Sequence, residues 1–206
     1  MASGVREKIV SAALDRFHAL GFNACGVQDI VDKAGVPKGT FYNYFKAKEL
    51  LAVEVLGVYS EGSRHEMLAD QSVAPLKRLK RHFEFLASRY AELGYDKGCL
   101  LGNLAAEMTE DTPLLREALA LSLKRWADAV TVVLSEGQQD GSVAAKLNAA
   151  ETARFLVNSW GGAAVRMKIV NDRQPIDDFL ALVLPLLAAS KPAAKKSAIR
   201  AQARTQ

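Results

Sequence analysis

The spacing of apolar residues constrains this chain most strongly, because they recur at three- and four-residue intervals along nearly its whole length. Such spacing places apolar side chains on one face of an α-helix, whereas a half-buried strand alternates apolar and polar residues. No stretch shows that alternation. The sequence therefore predicts an all-α fold.

Three short helices are predicted at the N-terminus. The first carries apolar residues at helical spacing and stops at Gly21, and the second spans 27–34. Gly35 supplies the permissive backbone of a tight turn, and Pro37 opens the third helix because proline is tolerated at a first helical position. Three short helices with a glycine turn between the last two predict a helix-turn-helix unit over residues 1–47.

Longer helices are predicted over the rest of the chain, which forms a second helical domain over residues 48–190. Residues typical of loops separate them, such as the turn from Asp140 to Ser142, and no linker is long enough to isolate two independent domains. The predicted helices cover residues 48–68, 74–93, 99–109, 113–138, 148–170 and 175–189.

The formal charge of +4 comes from the C-terminal end. Residues 191–206 hold five of the 27 basic residues and no acid, so 22 basic residues face 23 acidic ones in the remainder. The sequence pI of 9.1 is therefore no evidence for nucleic-acid binding. We expect 191–206 to form a disordered, solvated tail, with an accessory phosphate-binding arm as the alternative.

Composition excludes several classes of protein. With 206 residues, half of them apolar, the chain can bury a core without disulfide or metal. Cys25 and Cys99 form neither a disulfide framework nor a zinc spacing, and the three histidines show no metal-ligand spacing, so we expect no metal and no cofactor. No segment resembles a signal peptide or spans a bilayer, which predicts a cytoplasmic protein without membrane attachment.

The third helix has the chemistry of a DNA recognition helix. Phe41 and Phe45 share one face, which the first helix can cover, and polar side chains occupy the remaining surface. Lysine, hydroxyl and phenol groups near a helix N-terminus suit phosphates, and asparagine can bond an adenine edge. The alternative is that the aromatics are only core and the hydroxyls only solvated. The polar candidates are Lys38, Thr40, Tyr42, Asn43 and Tyr44.

The segment from Gly21-Phe22 through Ala34-Gly35-Val36, Lys38-Gly39-Thr40-Phe41-Tyr42, Tyr44-Phe45 and Lys48-Glu49 resembles the DNA-binding signature of the TetR family of repressors. The resemblance implies a ligand-binding domain behind the helix-turn-helix and a homodimer formed chiefly by the last two long helices. It also implies binding to double-stranded operator DNA and release by a small-molecule effector.

The resemblance assigns roles to individual residues. Tyr42 and Lys48 are expected on phosphates, and Lys38 and Asn43 near bases. Where the family usually has Thr or Ser opening the second helix, this chain has Cys25 and Gly26. A glycine still caps a helix but offers no hydroxyl, so a phosphate contact there must come from backbone N–H groups or Gln28.

Two segments of the second domain interrupt apolar helices with polar or small residues. One runs over 97–108 and contains Cys99, Asn103 and Glu107; the other runs over 160–168 and ends in Arg166 and Lys168. Together they resemble a TetR subgroup that responds to electrophiles and acrylate-like acids. That resemblance implies that Cys99 and Lys168 approach each other, with Arg166 a further candidate. The candidate ligand-binding residues are Cys99, Asn103, Glu107, Trp126, Trp160, Arg166 and Lys168.

Several alternatives remain open from sequence. A lysine nearby favours the thiolate of Cys99, which is the nucleophile, but a lone cysteine on an apolar helix is often a small buried hydrophobe. A noncovalent ligand in the same pocket is the second possibility. Gly161 and Gly162 also suit close packing of a dimer helix. An enzyme is disfavoured because no phosphate-binding glycine loop, metal spacing or nucleophile with a base is present; a partner-binding helical protein is the other rival.

Overall fold

The computed structural model describes residues 2–189, and the predicted tail over 191–206 lies outside them. The predicted all-α fold is confirmed: the described chain is helical, and its only extended pairing is a single bridge between Val143 and Ala188.

The helix-turn-helix consists of α1 (Ala2–Leu20), α2 (Val27–Ala34) and α3 (Lys38–Tyr44). Gly35 has φ 67°, and its N–H and that of Val36 bond to Asp32 and Val31 carbonyls, which closes the turn after α2. This left-handed conformation favours glycine. Pro37 is extended and precedes α3, and Thr40 N–H bonds to its carbonyl at 2.9 Å. Pro37 was expected to be the first residue of α3 but lies just before it, so the predicted start was one residue early.

The fourth helix, α4 (Lys48–Glu61), is shorter than the predicted 48–68. The chain turns at Arg64, which has φ 53°, and then forms a 3-10 helix over His65–Ala69. A left-handed residue cannot continue a right-handed helix, and arginine gives no sequence signal for it. The turn directs the chain from α4 towards the rest of the second domain.

Five helices complete the second domain. Pro75 and Pro113 open α5 and α7, and Asn148 caps α8 by accepting N–H bonds from Ala150 and Glu151 at 3.1 Å each. These helices are α5 (Pro75–Leu93), α6 (Leu100–Ala106), α7 (Pro113–Gln139), α8 (Ala149–Val170) and α9 (Gln174–Asp178).

The predicted last helix over 175–189 is irregular. After α9 the chain is π-helical over Phe179–Val183 and 3-10 helical over Leu184–Leu187. Pro185 lacks the N–H that a regular helix needs, which explains the change. Backbone bonds from Ala144 to Leu187 and from Ala189 to Ser142 tie this end to the loop after α7.

The interior consists of two apolar clusters. The first joins the helix-turn-helix to α4, α6 and the start of α7, and the second joins α5, α7, α8 and the C-terminal helices. Burying a large side chain such as Phe41 or Trp160 contributes about 1.5 to 3 kcal/mol to stability. Cys99 packs against both clusters. A change in the size of the Cys99 side chain therefore alters the packing of both clusters.

Candidate DNA interface and ligand cavity

The recognition helix presents three of its predicted residues to solvent. Phe41 and Phe45 are buried with their rings 5.8 Å apart, as the shared-face interpretation requires. Lys38, Tyr42 and Asn43 are exposed, whereas Thr40 and Tyr44 are half-buried. A DNA role for these five residues stays a prediction.

Lys48 has a structural task in addition to its predicted phosphate contact. Its ammonium donates to the carbonyls of Phe22 (2.7 Å) and Cys25 (2.8 Å) and lies 4.3 Å from the centroid of the Phe22 ring. An ammonium has three N–H groups, so one is left for a phosphate. Lys48 thus ties the start of α4 to the turn between α1 and α2.

The start of α2 is capped without a hydroxyl. Gly26 N–H donates to Asp29 Oδ2 at 2.7 Å, and the Gln28 side chain donates to Asp32 on the same helix at 2.7 Å. Cys25 is buried, and burial raises the pKa of its thiol. One N–H of the Gln28 amide remains, so backbone N–H groups and Gln28 both stay candidates for a phosphate contact at this end.

A narrow cavity of about 20 Å³ lies between α4, α5, α6, α7 and α8. Three of the predicted ligand residues line it: Cys99, Trp126 and Trp160. The sequence analysis missed the other lining residues, which share no sequence signal; five of them carry a polar side-chain atom and two are leucines. They are Tyr59, Ser60, Ser63, His65, Leu86, Tyr90 and Leu101.

Two tyrosines surround the Cys99 thiol in this cavity. The Tyr59 hydroxyl donates to Cys99 Sγ at 3.9 Å and accepts the Leu100 N–H at 3.4 Å, while the Tyr90 hydroxyl accepts the Trp160 indole N–H at 3.2 Å. Burial raises the pKa of both phenols well above the ordinary value. Both hydroxyls are therefore uncharged at neutral pH.

Two imidazoles extend the aromatic wall behind Trp126. The Trp126 indole N–H donates to His82 Nε2 at 3.0 Å, and the His65 ring stacks on Trp126 at 5.7 Å between centroids. The indole is only a donor, so His82 carries its proton on Nδ1, which has no partner among the described residues. Burial lowers the pKa of His82 to about 3 and also lowers that of His65. His82 is fully buried.

The four remaining predicted ligand residues do not line the cavity. Arg166 is exposed, and the Lys168 stem packs against Gly98 while its ammonium donates to Asn103 Oδ1 at 3.4 Å. Asn103 in turn donates to the Lys97 carbonyl at 2.8 Å. Lys168 thus lies beside the residue before Cys99, but its charge is used outside the cavity.

Glu107 lies at the contact with the DNA-binding unit. Its carboxylate accepts the Asn23 N–H at 2.7 Å, and its carbonyl accepts from the Asn23 side chain at 3.2 Å. At the other end of α6, His18 of α1 donates from Nε2 to the Gly98 carbonyl at 3.1 Å. Burial lowers the pKa of His18, so the imidazole donates as a neutral ring. Both ends of α6 are therefore bonded to α1 and the turn after it.

An apolar face is exposed along α8 and the C-terminal helices. Phe155 and Ile169 are 60% and 72% exposed, and Leu182 and Leu186 are 66% and 77% exposed. A Cβ built on Gly162, midway between Phe155 and Ile169, would touch nothing in the described protomer. Exposed apolar patches of this kind mark interaction surfaces.

No group of three or more metal-ligating side chains is present in the described chain, and none of its helices is long and apolar enough to cross a membrane. A helix-turn-helix with an exposed polar recognition helix, packed against a helical domain with an internal cavity, defines a helix-turn-helix DNA-binding regulator.

Comparisons with known proteins identify the family. Residues 9–55 match the family "Bacterial regulatory proteins, tetR family", and residues 75–183 match "Tetracyclin repressor-like, C-terminal domain". The chain belongs to the TetR family of transcriptional regulators. It is 34% identical over 189 residues to the HTH-type transcriptional repressor DhaR of Mycobacterium sp. (strain GP1), covering 90% of this chain and 93% of that protein.

Two solved structures are similar over nearly their whole length. A regulatory protein TetR from Rhodobacter sphaeroides superposes with a TM-score of 0.82 at 28% identity, covering 88% of this chain and 98% of that one. The reduced form of Escherichia coli NemR superposes with a TM-score of 0.80 at 25% identity, covering 91% and 98%. Members of this family bind operator DNA as dimers and respond to small-molecule effectors, and these relatives are regulators rather than enzymes.

Proposed function

We propose that this protein is a cytoplasmic, homodimeric transcriptional repressor that leaves its operator when a small molecule occupies the Cys99 cavity. One observation carries the proposal. Tyr59 and Ser60, near the C-terminal end of α4, form part of the cavity wall, and the N-terminal end of α4 follows the recognition helix directly. Occupation of the cavity therefore acts on the helix that orients α3.

Each recognition helix reads one half of the operator. Lys38 and Asn43 contact base edges, while Tyr42, Lys48 and the hydroxyls of Thr40 and Tyr44 contact phosphates. The exposure of Lys38, Tyr42 and Asn43 supports this assignment. Half-sites lie about 34 Å apart, or a multiple of it, so a pivot of α4 in both protomers weakens both contacts together.

The effector changes DNA affinity only if it prefers the arrangement that does not fit DNA. A coupling of about 1 to 3 kcal/mol changes affinity some 5- to 150-fold. The bonds that join α6 to α1 at Gly98 and Glu107 supply a second connection between cavity and DNA-binding unit. Two linked elements thus bear on the recognition helix.

The proposed effectors are small electrophiles and unsaturated acids that react at Cys99. Addition to an activated C=C bond forms a C–S bond as the π bond breaks, and the thiol proton ends on the neighbouring carbon. No oxidant and no leaving group are required. The half-buried thiol on the cavity wall and the similarity to NemR, whose structure was solved in a reduced form, support this chemistry.

The test is fluorescence-anisotropy binding to the DNA upstream of the coding region at stated salt, with N-ethylmaleimide, acrylamide and acrylic acid added in turn. We expect specific binding that Asn43→Ala relaxes at one base position by about 1 to 3 kcal/mol. We expect an electrophile to release DNA from wild type and Cys25→Ala, but not from Cys99→Ser.

Release of DNA from Cys99→Ser as well would retain the cavity and show that the effector binds noncovalently. Absence of specific DNA binding by the wild type would overturn the proposed function. Unaltered binding by both Asn43→Ala and Tyr42→Ala would reject the assignment of the recognition helix.

A further inference from the structure

The wall of the Cys99 cavity carries no formal charge. Among the described residues that line it, none is Asp, Glu, Lys or Arg. Three cations adjoin lining residues in sequence, but Arg125 is exposed, Arg89 donates to the Gly62 carbonyl, and Arg64 pairs with Glu66 and lies over the Phe85 ring. Burial also lowers the pKa of His65, so its imidazole is uncharged at neutral pH. A buried anion would find no counter-ion here.

Nearly all polar atoms of this wall are already hydrogen-bonded to one another. The Tyr59 and Tyr90 hydroxyls bond Cys99 and Trp160, and the Ser63 hydroxyl donates to the Tyr59 carbonyl at 3.1 Å. Ser60 and His65 are the exceptions: the His65 ring is half-buried and makes no hydrogen bond among the described residues, and the Ser60 hydroxyl oxygen is buried and has no partner there. A buried hydroxyl without a partner is unfavourable, so a ligand that pairs with it gains affinity.

The remaining surface is aromatic and restricts size. Trp160 stacks on Tyr90 with 5.9 Å between centroids, and Trp126 stacks on His65. The volume of about 20 Å³ has room for about one water molecule and lies far below the roughly 300 to 1,000 Å³ of small-molecule sites, so a ligand enters only as these side chains move apart. These walls suit a small, flat or apolar body.

We infer that the effector site selects an uncharged, mainly apolar molecule with one hydrogen-bonding group that pairs with Ser60, and that it discriminates against carboxylates. An ionised carboxylate would lose its hydration without a paired cation, whereas an amide or carbonyl loses little and gains the Ser60 bond. The inference deepens the proposed function, on which it rests for its regulatory meaning. Within that function it favours neutral electrophiles over unsaturated acids.

The two tryptophans of the chain give a selective readout, because Trp126 and Trp160 both lie on this wall. We would titrate the full-length protein at neutral pH with unreactive pairs that differ in charge but little in shape. The pairs are propanamide with propanoate, cyclopentanecarboxamide with its carboxylate, and benzamide with benzoate. We expect saturable fluorescence changes from at least one amide, with binding at least about tenfold tighter than that of its carboxylate.

Ser60→Ala tests the hydrogen bond. We expect it to weaken binding of that amide about 3- to 10-fold, the range of one neutral hydrogen bond, while the carboxylates change little. Ser88→Ala is the matched control, because the Ser88 hydroxyl lies exposed on α5 and donates to the Phe85 carbonyl. Circular dichroism and thermal unfolding establish that both variants are folded.

A carboxylate that binds as tightly as its amide, or amides that produce no saturable change in folded protein, would overturn the inference. An unchanged amide affinity in Ser60→Ala would do the same. None of these readouts uses DNA. Amide binding without specific DNA binding would therefore reject the proposed function alone, and specific DNA binding without amide preference would reject this inference alone.

Discussion

At the scale of single residues, His82 makes stability depend on pH. Its ordinary pKa is 6.5, and burial lowers it to about 3 in the folded protein. Between these values the unfolded chain binds a proton that the folded chain does not, so stability is lost as pH falls. His18 and His65, whose pKa values burial also lowers, act in the same direction.

We therefore expect the free energy of unfolding to decrease below about pH 6.5, by up to about 1.4 kcal/mol per pH unit for each such histidine. His82→Gln retains an acceptor for the Trp126 indole and removes one titrating group. Its unfolding free energy should fall less steeply between about pH 5.5 and 4.5, by up to about 1.4 kcal/mol per pH unit. Urea denaturation at fixed protomer concentration measures both slopes. Parallel slopes would show that His82 does not contribute.

The residues of the cavity were only partly predictable from sequence. Three residues were predictable because each differs in type from its neighbours in the sequence. They are Cys99, Trp126 and Trp160, and all three line the cavity. Ser60 gave no signal because a serine on a predicted helix does not reveal which neighbour it meets. His65 gave none because its position depends on the chain turn at Arg64, and arginine does not favour a positive φ. Glu107 and Lys168 were assigned to the pocket because polarity on an apolar helix does not reveal which neighbour the side chain meets.

At the scale of elements, α6 connects the cavity to the DNA-binding unit through bonds at both ends. His18 holds the Gly98 carbonyl before it, and Glu107 holds Asn23 after it. Gly21, with φ 81°, lies against the Glu107 carboxylate where a Cβ would clash. Most helices were predictable from periodicity within a few residues, the exceptions being the end of α4 and the irregular last helix. These tertiary contacts were not predictable, since they join positions about 80 apart in sequence.

Glu107→Ala should uncouple effector from operator. We expect a smaller fold-change in DNA affinity on adding an effector, because the variant loses one of the bonds by which α6 holds the turn after α1. By linkage, the fold-change that DNA causes in effector affinity should shrink equally. Anisotropy with N-ethylmaleimide measures the first change, and titration with the amide of highest affinity, which binds reversibly, measures both. Glu110→Ala, exposed a few residues away, is the control and should retain wild-type coupling. Equal coupling in both variants would contradict the role of Glu107.

At the scale of the whole molecule, the fold leaves apolar surface that a single protomer does not cover. Phe155, Gly162 and Ile169 recur every seven residues along one face of α8, and Leu182 and Leu186 extend that surface. A second copy related by twofold symmetry can place the same face against it. The prediction of a homodimer through the last long helices stays a prediction, and these exposed side chains are the physical reason for it.

A negative charge introduced on this face of α8 should separate the two protomers. We expect Phe155→Glu and Ile169→Glu to shift the protein from dimer to monomer in size-exclusion chromatography with light scattering, because each would bury an unpaired carboxylate in the interface. Operator affinity should fall with dimer content, since a monomer reads only one half-site. Leu114→Glu, 46% exposed in the first turn of α7, is the matched control and should remain dimeric. Circular dichroism establishes that both α8 variants are folded. If they stay dimeric at the concentrations that bind DNA, the interface lies elsewhere. The proposed pivot of α4 would then act on recognition helices that are placed differently in the dimer.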